Sequence, residues 1–262
     1  MGWYCGTPEQ QRLQQRVDEM VVWCRNVRGA VNAGRMLGVD DIDALGWEAI
    51  FDRLEKDGVF TFRMVPKERI AEVEAVLAER DFRIDWWNVF KGSSETVLKH
   101  TADEGMRRLP EDYTIIRKEE LTKRVVQQMQ ACMERNGVRP YSGRMIAGMT
   151  EPMVSLAVRS PSGKIVATAC GHMPYNSMSQ HSRTAWGGLV AVDPGHRGMR
   201  LGVAINAEMV RRCVERLGAR SVQEFVNADN ETSRRMVERC GLSLDPTCMS
   251  GLATRGNERF TR

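Results

Sequence analysis

The sequence predicts an α/β (α+β) fold, in which a mixed central sheet flanked by helices follows a smaller N-terminal domain of helices and one βαβ unit. Three observations predict this fold. Segments with strand-like apolar patterns alternate with segments whose apolar residues repeat about every 3.6 positions, as in amphipathic helices. The polar stretch at residues 91–111 has no clear period and separates two regions. At residues 189–217 an apolar strand runs through a tight, glycine-containing turn into a long amphipathic helix.

Glycine and proline mark the element ends in the N-terminal region. Gly58 follows a helical pattern and is a typical helix stop, whereas Pro66 suits the first turn of a helix. The predicted elements are a helix at residues 8–37, a helix at 42–56 capped by Asp40 or Asp41, a strand at 59–65, a helix at 66–80 and a strand at 84–90. These elements predict a βαβ unit at residues 58–90 within an N-terminal domain of residues 1–110.

The C-terminal region, residues 111–262, predicts a second domain that alternates strands and helices. The turn at residues 160–163, of sequence Ser-Pro-Ser-Gly, predicts a hairpin between two apolar strands. The predicted strands lie at residues 113–117, 153–159, 165–172, 184–192 and 221–227, with one or two more within 244–254. The predicted helices lie at residues 119–136, 141–149, 201–217 and 231–240.

Composition restricts the class of protein. A chain of 262 residues and 29.7 kDa suits one large domain or two small ones. Hydrophobic residues make up 42% and charged residues 27%, as in soluble globular proteins. The longest apolar runs fall short of the roughly 18 residues that a membrane span needs, and the N-terminus lacks the pattern of a secretory signal. We therefore expect a cytoplasmic protein with no membrane partner.

Cysteine and histidine patterns argue against a disulfide framework or a metal site. The seven cysteines are odd in number and contain no CxxC pair, which favours a reducing compartment. The four histidines have no HExxH or HxxxH spacing, so we expect no metal cofactor.

Charge is distributed unevenly along the chain. Residues 1–110 hold 16 Lys+Arg and 19 Asp+Glu, whereas residues 111–262 hold 22 and 15. The C-terminal region is thus the one suited to an anionic ligand, although a randomly basic surface explains the same numbers. Nucleic acid is an unlikely partner by composition, since no Lys/Arg run is interleaved with aromatic residues.

The strand–turn–helix at residues 189–202 is the most informative segment. The first amides of a helix lack intrahelical acceptors and the helix dipole adds partial positive charge, so such a turn can bind a pyrophosphate. Gly198 and Gly202 would keep side chains away from the phosphates, while Arg197 and Arg200 would add charge. The alternative is an ordinary connection between a strand and a helix. Neither GxGxxG nor a P-loop fits, because the glycines are wrongly spaced and Gly-Lys-Ser/Thr is absent.

Two motifs in this region resemble those of the GNAT superfamily of acetyl-CoA-dependent N-acetyltransferases. The family's V-x-P followed by [Q/R]-x-x-G-x-[G/A] aligns with Val192-Asp193-Pro194 and residues 197–202, except that Arg200 replaces the first motif glycine. The family's N-x-x-A-x-x-x-Y-x-x-x-G-F aligns with residues 230–242 with its spacing kept. There Ser233, Val237 and Leu242 replace the alanine, tyrosine and phenylalanine. The resemblance covers about residues 112–255 and the predicted element order matches that of the family.

The resemblance implies acetyl-CoA as co-substrate and assigns residues to it by position. Main-chain groups of the strand would contact the pantetheine arm, the turn amides would hold the pyrophosphate, and the downstream motif would lie near the thiol. The implied residues are Val190, Val192, Arg197, Gly198, Met199, Arg200, Leu201, Gly202, Val203, Asn230 and Ser233.

Catalytic groups are harder to assign. Val237 stands where the family usually has the tyrosine that acts as acid, and no carboxylate lies within Thr184–Val192. Glu224 is a candidate base, although strand alternation turns it to the face opposite Phe225, the residue at the family's alternative base position. His172, Tyr175 and His181 are further candidates, because they fall between strands that would border the substrate cleft. Each of these side chains can equally be a packing residue.

The resemblance implies an N-acetyltransferase in which a primary amine, on a small molecule or a protein, attacks the thioester directly. A non-catalytic acyl-CoA-binding or sensory module is the alternative, motivated by Arg200 and Val237. The N-terminal βαβ unit resembles the closing half of a GNAT domain, so a degenerate GNAT-like repeat is one interpretation of residues 1–110. That part could cover the acceptor cleft, mediate formation of a homodimer or bind a partner.

Overall fold

The computed structural model describes residues 2–116 and 118–256. Arg117, the last residue of one predicted strand, lies outside the described residues, as do residues 257–262 at the end of the second predicted domain. Across the described residues the chain forms a single ten-stranded sheet with helices on both faces.

The strands are β1 (Ala30–Asn32), β2 (Leu37–Val39), β3 (Val59–Pro66), β4 (Phe82–Ser93), β5 (Thr114–Ile115), β6 (Met153–Arg159), β7 (Ile165–His172), β8 (Thr184–Val192), β9 (Ser221–Val226) and β10 (Ser243–Arg255). Their order in the sheet is β1-β2-β3-β10-β4-β9-β8-β7-β6-β5. All neighbouring pairs are antiparallel except β2 with β3 and β8 with β9.

The helices are α1 (Pro8–Glu19), α2 (Val21–Asn26), α3 (Ile42–Leu45), α4 (Trp47–Asp57), α5 (Ile70–Ala78), α6 (Ser94–His100), α7 (Glu104–Arg107), α8 (Lys123–Arg135), α9 (Gly143–Ile146), α10 (Leu201–Leu217) and α11 (Glu231–Arg239). Helix α10 packs on β6, β7 and β8, and α8 packs on β7 and β8. Separate apolar clusters lie on the α10 face and the α8 face of the sheet, and a third lies around α4 and α5. None of the helices within the described residues is long and apolar enough to cross a membrane.

Eight of the strands follow a symmetric order. Within the sheet these eight strands have the order β1-β2-β3-β10-β4-β9-β8-β7. If β1 is exchanged with β7, β2 with β8, β3 with β9 and β4 with β10, the result is the same order read from the other edge of the sheet. The strand directions obey the same exchange, since β2∥β3 corresponds to β8∥β9 and the central pair is β10 with β4. Helix α4 connects β2 to β3 as α10 connects β8 to β9. The N-terminal elements thus repeat the arrangement of the C-terminal ones, and each half places its last strand between two strands of the other.

The local predictions in the C-terminal region are confirmed. Strands β6, β7 and β8 and helix α10 have the predicted bounds, and β9 and α11 differ from prediction by one residue. These elements carry strong period-2 or period-3.6 apolar patterns, which local sequence reports well. The predicted βαβ unit at residues 58–90 is also present, but its two strands are not adjacent, because β10 lies between them.

Two predicted helices in the N-terminal region differ from the structure. The predicted helix at residues 42–56 is divided at Gly46 into α3 and α4. The predicted helix at residues 8–37 is divided at Met20 and ends at Asn26, where Val27 has an extended conformation. The chain then forms β1 and β2. Gly38 lets β2 approach β3 closely, since a Cβ there would lie 2.4 Å from the Thr61 side chain.

The polar stretch at residues 91–111, where the sequence places the boundary between two domains, forms the end of β4 and helices α6 and α7. The side chains of Ser93 and Asp103 accept hydrogen bonds from the first turns of these helices and act as their N-caps. This stretch has no apolar period, so the capping residues Ser93 and Asp103 were its only local indication of helices.

Candidate active site

The site lies where two parallel strands separate. Strands β8 and β9 pair only from Thr184 with Ser221 to Trp186 with Gln223, and then diverge. Leu189 on β8 has a φ angle of 52°, and the pairing of β8 with β7 shifts register in the same place. A cavity of about 230 Å³ opens between the separated strands, lined by β8, β9, α11, β10 and N-terminal residues.

Side chains from both faces of the sheet reach this cavity because the sheet is split there. Trp186 and Phe225 lie on the α8 face, with ring centroids 6.4 Å apart. Gly188 makes room for the Trp186 ring, since a Cβ there would lie 2.6 Å from it. Glu224 lies on the α10 face, where Asn206 of α10 donates a hydrogen bond of 2.8 Å to its carboxylate. This confirms that Glu224 and Phe225 face opposite sides.

The turn before α10 presents free backbone amides. Gly198 has a φ angle of 78° and Arg200 one of 63°, so the chain turns through two left-handed residues into the helix. Among the described residues, no backbone carbonyl accepts from the amides of residues 198–203, and Arg200 makes no side-chain cap. Successive N–H groups in such a turn form an anion-binding concavity. The Arg200 side chain is exposed.

Side chains fix the position of this turn. The Asp193 carboxylate accepts hydrogen bonds from Arg135 at 2.7 Å and 2.8 Å and from Asn136 at 2.8 Å. Burial acts to raise the pKa of Asp193, but these hydrogen bonds outweigh it and lower the pKa to about 2. Arg197 donates from Nε to the Val192 carbonyl at 3.1 Å. Its Nη2 atom also donates to Asn136 Oδ1 at 3.4 Å, so the guanidinium is folded over the strand end.

The downstream motif lies beside the cavity. Asn230 caps α11 by accepting from the Ser233 amide at 3.0 Å, and Asn230, Ser233 and Val237 all line the cavity. Val190 lines it from β8. Gly202, at the start of α10, lies beside Met236, which also lines the cavity. A Cβ added to Gly202 would be 3.7 Å from the Met236 sulfur atom. The turn amides therefore lie next to the cavity, and Gly202 and Met236 connect the two.

Glu224 is the single acidic side chain among the described residues that line the cavity. It is 4% exposed, and burial raises its pKa to about 7, although the hydrogen bond from Asn206 acts in the opposite direction. A carboxyl group with this pKa can accept a proton near neutral pH. Buried thiols of Cys213 and Cys240 are its other titratable neighbours.

The structure does not bring His172 or Tyr175 to the cavity. His172 is fully buried between Tyr141 and Trp186, and its Nε2 lies 3.1 Å from the Asn32 carbonyl oxygen. Burial lowers its pKa to about 4, so the ring is neutral at neutral pH. Tyr175 is buried, its hydroxyl accepts a hydrogen bond from Gln223, and burial raises its pKa. His181 packs on Tyr175 with ring centroids 5.4 Å apart. These side chains pack the N-terminal strands against β7 and β9.

Sequence reasoning missed the N-terminal wall of the cavity. Arg35, Met36, Thr61, Arg63 and Trp87 line it, and they come from β3, β4 and the loop between β1 and β2. No local pattern marks them, because they reach the cavity only through the pairing of β10 with β3 and β4. Within the described residues there is no group of three or more His, Cys, Asp or Glu side chains that could hold a metal ion.

Comparison with known proteins identifies the fold. Residues 122–242 match the Acetyltransferase (GNAT) family. A GCN5-related N-acetyltransferase from Kribbella flavida is 15% identical, with 95% of this chain and 97% of that chain covered and a TM-score of 0.57. A GCN5-related N-acetyltransferase-like protein from Streptococcus suis is 14% identical, with 95% and 100% covered and a TM-score of 0.54.

A third structure covers most of both halves. A tandem GNAT protein from the clavulanic acid biosynthesis pathway is 13% identical, with 81% of this chain and 69% of that chain covered and a TM-score of 0.51. No curated protein sequence is similar enough to count as a relative. The match to the family model, the split between β8 and β9 and the amide-bearing turn agree with one another. Residues 122–242 of this chain therefore form a domain of the GNAT family of acetyltransferases.

Proposed function

We propose that this chain is an N-acetyltransferase that transfers the acetyl group of acetyl-CoA to a primary amine by direct attack of the amine. One observation carries the proposal. The cavity at the divergence of β8 and β9 is lined by a buried carboxyl group, Glu224, and by Met236, which lies beside Gly202 at the turn with the free amides. A proton acceptor and a thioester-binding groove are the two parts that such a transfer needs.

The residues that would hold acetyl-CoA follow from this arrangement. Bound acetyl-CoA supplies an acetyl group activated as a thioester. The amides of residues 198–203 would bind the pyrophosphate, assisted by Arg197, and main-chain groups at Val190 and Val192 would contact the pantetheine arm. Asn230 and Ser233 line the cavity and would lie near the reacting end.

Proton transfer is assigned to Glu224. An ammonium acceptor must lose a proton before its nitrogen can attack, and Glu224 has the position and the raised pKa to take it. Overall, an ammonium and a thioester give an amide, a free thiol and one proton. Val237 has no ionisable group, so the proton on the product thiol comes from water or from Glu224.

The two-domain division, with residues 1–110 as a degenerate GNAT-like repeat and 111–262 as the transferase domain, is part of the proposal. The symmetric strand order supports it. The coverage of the tandem GNAT protein supports it too, since 81% of this chain exceeds what the C-terminal region alone supplies. Residues 1–110 contain no V-x-P motif followed by a glycine turn. We therefore assign one cofactor site to the chain, in the C-terminal half.

The experiment that tests the function is a calorimetric titration with acetyl-CoA, followed by assay of free-thiol release without and with a panel of amines. Binding together with amine-dependent thiol release is the expected result. Absence of acetyl-CoA binding would overturn the proposal.

A non-catalytic acyl-CoA-binding module is the second candidate, and Val237 is the observation that favours it, because it removes the acid that relatives usually carry. This candidate predicts acetyl-CoA binding without thiol release from any amine in the panel. The same two measurements therefore separate the two functions.

A further inference from the structure

The N-terminal wall of the cavity carries positive charge that the protein does not neutralise. Arg63 of β3 is 3% exposed, and its Nε and Nη1 atoms have no hydrogen-bond partner. Its guanidinium lies 4.5 Å from the Phe225 ring centroid and 5.6 Å from the Trp186 ring centroid. Within the part of the chain that the structure describes, Arg63 forms no ion pair, and no carboxylate influences its pKa.

A second arginine adds to this charge. Arg35 also lines the cavity, its Nε is buried without a partner, and its Nη1 lies 3.5 Å from the Arg139 carbonyl oxygen. Burial lowers the pKa of both guanidinium groups, to about 10 for Arg63, and an arginine guanidinium keeps its charge in proteins at neutral pH. The indole N–H of Trp186 is a further buried donor without an acceptor. Among the described residues that line the cavity, the buried side-chain atoms without a partner are thus all donors. A cation–π contact with two rings compensates Arg63 only in part.

A buried, unpaired guanidinium is costly for folding, and an arginine presents a planar fork that matches a carboxylate. The cavity of about 230 Å³ also has to hold the reacting end of acetyl-CoA in the proposed function, so the space left beside Arg63 suits a small acceptor. Arg63 contacts Trp186, the last residue of the paired part of β8, and Phe225, the neighbour of Glu224. An anion bound by Arg63 would therefore lie beside the point where the proposed transfer occurs.

We infer that the acceptor is a small amine that also bears a carboxylate, as an amino acid does, and that Arg63, assisted by Arg35, binds this carboxylate. The inference rests on the proposed function, since it names the acceptor class of the same site. Arg63 would act by binding and orienting the acceptor, and Glu224 by accepting its proton.

The test uses the full chain and matched pairs of amines. Each amino acid in the panel is paired with its own carboxamide, and O-phosphoethanolamine is paired with ethanolamine. Initial rates of thiol release give kcat/KM for each member. Calorimetric titration of the N-acetylated amino acids and their amides, in the presence of CoA, reads the same preference without turnover. The variants are Arg63→Met, Arg63→Lys and, as the matched control, Arg12→Met on the exposed face of α1.

The expected result is a preference of about tenfold or more for the carboxylate member in the wild type and in Arg12→Met. Arg63→Met is expected to lose this preference by weakening only the carboxylate member, while acetyl-CoA affinity stays unchanged. Its Tm is expected to rise by about 2–4 °C because an uncompensated buried charge is removed. Arg63→Lys keeps the positive charge but not the planar guanidinium, and it is expected to keep part of the preference. This variant keeps the inference testable if Arg63→Met does not fold.

Several outcomes overturn the inference. One is a wild type whose kcat/KM and binding affinity for the carboxamides equal or exceed those for the amino acids. Another is an Arg63→Met variant in which kcat/KM falls equally for the amino acid and its carboxamide. A preference confined to O-phosphoethanolamine would assign a phosphate in place of a carboxylate. Failure of the proposed function gives a different result from failure of this inference. In that case no amine would release thiol, and the binding titrations would still show whether Arg63 gives a preference for the carboxylate.

Discussion

At the scale of single residues, Glu224 determines how the proposed reaction depends on pH. Burial raises its pKa to about 7, and no cation contacts it among the described residues. Below that pH the carboxyl group holds its proton and cannot accept one from the acceptor. For the wild type we therefore expect kcat/KM to rise with pH through about 7 and then to level off at the alkaline side.

The variant Glu224→Gln tests this assignment. It keeps the shape and the contact with Asn206 but cannot accept a proton. We expect kcat/KM for thiol release to fall by about 100-fold or more and the ascending limb near pH 7 to disappear, with unchanged acetyl-CoA affinity. A pH–rate profile from pH 5 to 9 measures both effects. Retention of the limb and of most of the activity would assign the proton acceptor elsewhere.

The same variant has a stability signature that depends on the sign of the pKa shift. The folded pKa of Glu224 lies above its ordinary value of 4.5, so the folded state binds more protons between those two values. The free energy of unfolding of the wild type therefore contains a contribution that is present at low pH and is lost as pH rises through about 7. Glu224→Gln is expected to lack this loss. Urea unfolding of both proteins at pH 5 and pH 8 measures the difference, and an equal decline in both would contradict the raised pKa.

Arg200 occupies a backbone conformation that suits glycine. Its φ angle is 63°, it is exposed, and it stands where relatives have a motif glycine. A left-handed conformation costs a residue with a Cβ about 1–2 kcal/mol, and glycine avoids this cost. Glycine also gives the unfolded chain more conformational freedom, which offsets part of the gain in stability. We expect Arg200→Gly to raise the free energy of unfolding by up to about 1 kcal/mol and to leave acetyl-CoA binding intact, as measured by urea denaturation and calorimetry. Destabilisation by Arg200→Gly would mean that the arginine side chain stabilises the turn.

At the scale of elements, the strand end β8, its turn and helix α10 act as one unit. Arg197 ties this unit together through the Val192 carbonyl and adds charge next to the free amides. We expect Arg197→Ala to weaken acetyl-CoA binding about tenfold or more, because it loses a charge-assisted phosphate contact and loosens the turn. The matched control is Arg216→Ala in the last turn of the same helix, for which calorimetry is expected to give wild-type affinity. Equal affinity of both variants would remove Arg197 from the site.

The unit from β8 to α10 also illustrates what the sequence could predict. Its bounds, its glycine turn and the exposed amides depend on local periodicity and turn chemistry, and all were predictable. Strands β1 and β2 are three residues each and exist because they pair with β3 and with each other, so no local pattern indicates them. Arg63 has a buried position in an ordinary-looking strand. Its role at the cavity follows only from the position of β10, which local sequence does not report.

At the scale of the whole molecule, the exchange of strands makes the two halves depend on each other. Strand β10 lies between β3 and β4, and β4 in turn lies between β10 and β9. Arg63 and Arg35 of the N-terminal half and Glu224 of the C-terminal half line the same cavity. The site is therefore built by both halves, and the turn before α10 belongs to the C-terminal half.

This dependence predicts a single cooperative unfolding transition. Ala253 is fully buried in β10 and is paired with Phe60 on one side and Ile84 on the other. We expect Ala253→Pro to remove a ladder hydrogen bond in the middle of the sheet and to cost about 3 kcal/mol or more. Hydrogen exchange should then rise together in β3 and in β9, one from each half, because neither half has a complete sheet without the other.

The control is Thr114→Pro in β5, a two-residue strand at the edge of the sheet that pairs only with β6. A proline in an edge strand removes few hydrogen bonds between strands. The free energy of unfolding of this variant is therefore expected to lie within about 0.5 kcal/mol of the wild-type value. If Ala253→Pro instead increased exchange in β3 alone and left β9 protected, the halves would unfold separately. The cavity between them would then be an interface between independent domains, and N-terminal changes such as Arg63→Met would leave the stability of the C-terminal half unaltered.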